Sequence, residues 1–126
     1  MSELRCEIDQ PLADVESRVR TALAAEGFGI LSEIDVAATL RAKLGVERAP
    51  LRVLGACNPA LINEALSRDP DVALALPCNV VLEALGESTT RVTIADPALL
   101  MSNPSLTDLV ADARQRLRRV LDEITS

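Results

Sequence analysis

The chain contains no histidine, no tryptophan and no tyrosine, and its one aromatic residue is Phe28. Without histidine, Ser-His-Asp and Cys-His catalysis are excluded, together with the commonest metal ligand. General acid–base work would fall to carboxylates, lysine or cysteine. With one aromatic ring, stacking of nucleic-acid bases is excluded as a binding mode. Cysteine is scarce: there are three, an odd count with no C-x-x-C, so this is not a disulfide scaffold. No apolar run reaches the roughly 18 residues of a membrane span. The opening MSELRCEIDQ lacks the apolar core of a signal peptide. The expected compartment is the cytoplasm, with reduced thiols. No glycine-rich phosphate loop is present either, since GFG at Gly27 to Gly29 reads as a helix stop entering a strand.

What is present suits one α+β domain spanning residues 1–126. Apolar types make up 48% and charged types 25% of the 126 residues, as in a folded domain with a real core. The net charge of −6 repels phosphate backbones and anionic lipid, so neither nucleic acid nor a membrane is an expected partner.

Along the chain, ELRCEI (3–8) alternates, with Leu4, Cys6 and Ile8 inward, and reads as a strand. Asp9 as cap and Pro11 in the first turn open a helix that Gly27 closes. Phe28 to Ile34 reads as a strand with Phe28, Ile30, Ser32 and Ile34 on one face. Asp35 caps a short helix, Val36 to Leu44, that stops at Gly45. A third strand runs from Leu51 to Cys57. Asn58 and Pro59 then cap a helix reaching Arg68. RDPD is a turn, Val72 to Ala84 a strand interrupted at Pro77, and TRVTIAD the returning strand of a hairpin. Asp96 to Ser105 is a loop, and the last helix starts near Ser105 with Asp108 completing a capping box. The pattern predicts a single, mainly antiparallel five-stranded sheet. Two long helices pack on one face, and two short helices are inserted.

A Cys-Asn pair occurs twice beside a proline, in LGACNP (54–59) and LPCNVV (76–81). Together with EGFGILSEIDVAATLRAKLGVE (26–47), RVLGACNPALINEAL (52–66), LPCNVVL (76–82) and IADP (94–97), these segments resemble the family known as domain of unknown function 302. The resemblance covers nearly the whole chain. It implies an α+β fold related to the TATA-binding-protein-like class, which says nothing about DNA binding, with no established activity and a leaning towards sulfur and thiol metabolism.

The candidate site is built on those pairs. Cys57 sits where the next helix begins, and a helix N-terminus favours a thiolate. Asn58 is a natural cap. Cys78 alternates onto a face with Leu74, Leu76, Val80 and Leu82, as a packed small residue would. Asn79 points the other way, a polar amide in an apolar run. Cys6 reads as inert core. Asp96 before Pro97 is a turn signature, with Met101 near it. Glu33 and Lys43 read as a surface pair.

The leading expectation is a pocket at the two turns that binds a small ligand, anionic or sulfur-containing, with Asn58, Asn79 and Asp96 orienting it. One rival is a thiol transferase or reductase using Cys57 as nucleophile and Cys78 as resolving thiol. The other is an interaction module without pocket chemistry. Zinc would need two more ligands. A soft metal such as Cu(I) accepts two thiolates and a thioether, but sequence does not bring Cys57, Cys78 and Met101 together. No metal and no cofactor are expected. A homodimer is expected under every reading.

Overall fold

A computed structural model describes residues 4–126. Strand β1 (Leu4–Ile8) keeps the predicted alternation, with Leu4 and Ile8 buried and Arg5 and Glu7 exposed. Glu3, the expected first residue of that strand, lies outside the described residues. Helix α1 (Leu12–Ala25) follows. Its N-cap is Pro11, whose carbonyl accepts from the Asp14 and Val15 amides. Asp9 does not cap it, because it lies two residues too far upstream to reach the first free amides. Strand β2 (Gly29–Asp35) and helix α2 (Val36–Leu44) come next. The Asp35 carboxylate accepts from the Ala38 amide at 2.9 Å, and Gly45 ends α2 with φ 67°.

Strand β3 (Leu51–Cys57) leads into helix α3 (Pro59–Arg68). Beyond it lie strands β4 (Cys78–Gly86) and β5 (Thr89–Ile94), a one-turn helix α4 (Pro97–Leu100), and the terminal helix α5 (Thr107–Thr125). The sheet order is β1-β5-β4-β3-β2, antiparallel throughout. Helices α1 and α5 cover one face. Val15, Val19 and Leu23 of α1 and Leu117, Val120 and Ile124 of α5 meet Leu54, Val80, Leu82 and Val92 from the sheet. This is the predicted α+β architecture. Among the described residues, no helix is long and apolar enough to cross a membrane.

Further local expectations differ from the structure. The strand expected over Val72 to Ala84 begins only at Cys78, and Pro70–Ala75 forms a tight 3-10 turn. Asp69 caps that turn by accepting from the Asp71 amide, and Pro77, without an N–H, precedes the ladder. Leu74, assigned to the core face with Cys78, is therefore 88% exposed. In β2, a bulge between Ile30 and Ser32 shifts the register, so Ile30 faces Ala56 while Ser32 and Ile34 face Gly55 and Val53 on the opposite side. The last helix starts at Thr107, after a 3-10 turn capped by Asn103. Asp108 makes no capping box and instead meets Arg68 Nη1 at 2.7 Å.

Charge ties α1 to the sheet. Glu16 accepts from Arg52 Nε at 2.6 Å and pairs with Arg20 at 3.0 Å. Glu33 pairs with Arg20 and Arg52, both reached only through tertiary packing, rather than with Lys43.

Leu82 is fully buried on a central strand beneath both long helices. Leu82→Ala is expected to cost about 2–5 kcal/mol in chemical denaturation, with the far-ultraviolet spectrum unchanged.

Candidate functional site

The site forms where the core side of the sheet runs out. At the end of β3 the chain leaves the ladder at Cys57, and Asn58 turns it into α3. The Asn58 carbonyl oxygen Oδ1 accepts from the Leu61 amide at 3.2 Å, the cap predicted for it. Its amide nitrogen donates to the Glu26 carbonyl at 3.3 Å, at the end of α1. Asn58 is 7% exposed, so both ends of a buried amide are used. Gly27 is needed beside it for two reasons. Its φ is 87°, and a Cβ there would lie 3.0 Å from Asn58 Nδ2.

One strand over, Cys78 pairs with Ala56, the residue before Cys57, so the two Cys-Asn elements are neighbours in the sheet. Both cysteines line one cavity of about 40 Å³, room for little more than a few water-sized solutes. Its floor is Phe28, Ala56 and Cys78, and its walls come from α3, α4, α5 and the segment before Pro77. Asn58 is its one polar side chain, and no charged residue lines it. Met101, which the sequence placed only loosely, lines it as well.

The other predicted site residues lie elsewhere. Asn79 is exposed and paired with Gly55 on the sheet face away from α1 and α5. It does not line the cavity. Gly55 itself is required there, since a Cβ would lie 2.2 Å from Ser32 Oγ and 2.6 Å from Pro77 Cγ. Asp96 caps α4 through the Ala98 amide at 2.9 Å and pairs with Arg114 Nε at 3.0 Å. It stands behind Cys78 rather than in the cavity wall. Cys6 packs against the core away from the site.

The thiols are held protonated. Cys78 Sγ donates to the Ala95 carbonyl at 3.4 Å. Burial pushes its pKa up to about 11, and the charges of Asp96 and Cys57 add to the rise. Burial also pushes the Cys57 thiol up, against the helix end that was expected to lower it. All three cysteines are free thiols. Among the described residues, no cluster of three or more histidine, cysteine or carboxylate groups is arranged to hold a metal. Glu26 is held below the usual carboxylate range by its hydrogen bond from Arg119.

Two measurements follow from this geometry. Asn58→Ala is expected to destabilise the fold by about 1–3 kcal/mol, since it leaves the Leu61 amide without its cap and the Glu26 carbonyl with Arg116 alone. Asn58→Asp keeps the cap but turns a second acceptor oxygen towards the Glu26 carbonyl, so it too should destabilise the fold. The second concerns alkaline pH. The raised Cys78 pKa gives stability that is complete below the ordinary thiol value of 9.0 and lost as pH rises towards about 11. Burial raises the Cys6 and Cys57 thiols as well, so they share that window. Denaturation midpoints should fall across that window, and Cys78→Ala should reduce the fall more than Cys6→Ala or Cys57→Ala.

Known proteins fit this architecture. The sequence profile described as domain of unknown function DUF302 matches residues 4–124. No curated protein matches the chain. A crystal structure of an uncharacterized conserved DUF302 protein from Bacillus stearothermophilus is similar, with 28% sequence identity and a TM-score of 0.85. The match covers 94% of each chain. With almost its whole length matched, the chain belongs to the DUF302 family.

Proposed function

We propose that this domain is a small-ligand binding module whose site is the cavity shared by the two Cys-Asn turns. The observation that carries the reading is that residues from LGACNP and LPCNVV, distant in sequence, line one apolar cavity. The ligand class is uncharged or sulfur-seeking rather than anionic, because no charged side chain lines the walls and the Asn58 amide is already engaged. Cys57 and Cys78 are contact groups, Asn58 a positioning residue, and Asp96 acts only through Cys78. The raised thiol pKa values favour binding over nucleophilic transfer, since the thiolate is the nucleophile. The proposed assembly is a homodimer, and light scattering should return twice the 13.5 kDa chain mass.

The test is a set of small uncharged and sulfur-containing fragments followed by amide nuclear magnetic resonance. Shifts should cluster on Ala56, Ala65 and Ala113, and Ala113→Leu, which fills the cavity, should abolish them. Shifts confined to other surfaces would overturn the reading. In a companion experiment, Cys57 and Cys78 should alkylate more slowly than free cysteine at neutral pH. Faster reaction at Cys57 would favour the transferase instead.

A further inference from the structure

Strands β3 and β4 are apolar at consecutive positions, Val53 and Leu54 in one and Val80, Val81 and Leu82 in the other. Leu54, Val80 and Leu82 are fully buried beneath α1 and α5, which turns Val53 and Val81 to the far face of the sheet. An antiparallel sheet with one face in water alternates apolar and polar residues. A strand covered on both faces reads as a continuous apolar run, as these two do. The register lines the outward residues up. Ile34 of β2 faces Val53, and Val53 faces Val81, so three neighbouring strands carry one apolar row. Leu51 continues it in the next outward row. Helices α1 and α5 are on the other side. Helix α2 touches β3 but is exposed from Ala38 to Leu44 except at half-buried Leu40, which a helix covering this row would not be.

We infer that this open sheet face is covered by the same face of a second copy of the chain, with Val53 and Val81 at the centre of the contact. The inference rests on the homodimer proposed above and names its surface. Charge favours a second copy there. Towards β1, Glu83 pairs with Arg48 at 3.2 Å and with Arg91 at 3.8 Å, and Arg91 reaches Glu7 at 3.5 Å. With Arg5, the outward charges among the described residues are three arginines and two glutamates, in a chain whose net charge is −6. Two acidic chains can therefore approach on this face without like-charge repulsion, and the pairs already closed within each chain form a polar rim. Shape favours it too. Ser32 and Pro77 close over Gly55, so the glycine leaves no notch in the face. Two sheets of equal twist pack face to face about 10 Å apart, with strands crossing at about 30°. Five strands about 4.8 Å apart and roughly 20 Å long offer about 500 Å² per copy, so a pair buries about the 1,000 Å² that a specific interface needs. The contact leaves the α3, α4 and α5 walls of the cavity free.

The experiment follows the mass of the full chain by light scattering over a dilution series under reducing conditions. Val53→Glu and Val81→Glu should each raise the dimer dissociation constant by about thirtyfold or more, because each places an unpaired charge at the centre of the contact in both copies. Leu99→Glu, at a residue 66% exposed on α4, should leave it unchanged. Since a strand variant can misfold, the unaltered protein is read in parallel with a neutral gadolinium chelate. The chelate should broaden the Val53 and Val81 methyl signals in dilute solution and spare them in concentrated solution, while the Leu99 methyls broaden in both. A dimer that survives both valine variants would overturn this surface and leave the homodimer standing. So would a doubled mass with Val53 and Val81 still broadened. A chain that stays monomeric at every concentration would sink the homodimer as well.

Discussion

The side-chain amide of Asn58 is the constraint on which the arrangement of this domain turns. It accepts from the first turn of α3 and donates to the carbonyl of Glu26, the residue that caps the end of α1. A helix begins and another ends on the same four-atom group. The Glu26 carbonyl also receives Arg116 from α5, and the Glu26 carboxylate receives Arg119. The C-terminal end of α1, the start of α3 and the middle of α5 are therefore held at one point. Gly27 makes that approach possible by taking a left-handed backbone without a Cβ. The cavity lies directly beyond this point, so its shape follows from the junction.

The chemistry of the cavity follows from what surrounds it. Thiols in apolar walls remain neutral, because a low-dielectric site disfavours the thiolate. The helix N-terminus at Asn58 acts in the opposite direction, and burial wins. A site of neutral thiols and a thioether is poor at nucleophilic attack and at holding anions. Charge is used elsewhere, in the arginine–carboxylate pairs that tie α1, α3 and α5 to their neighbours. Twelve of the thirteen basic residues are arginine, whose planar fork suits such pairs.

Much of the fold was legible because its signals are local. Asp35 and Gly45 bracket α2, and Asn58 with Pro59 opens α3, as cap chemistry requires. Alternation placed Leu4, Val80 and Leu82 inward. The segment 72–77 reads as strand but forms a turn, because its apolar residues suit either and the cap at Asp69 decides for the turn. The bulge in β2 left no mark in the alternation, yet it moved Ser32 and Ile34 to the other face. Ser32 and Pro77 close on Gly55 there, a requirement visible only once three strands are aligned.

The repeated Cys-Asn pair shows the division most clearly. Sequence alone determined that Asn58 caps a helix and that Cys78 faces the core, since both follow from neighbours within a few residues. It also identified the family, through motifs spread over the chain. Only the tertiary structure decided that Cys57, Cys78 and Met101 share one cavity while Asn79 turns away from it. The register of β3 against β4 sets that arrangement, and no local preference encodes a register between strands some twenty residues apart.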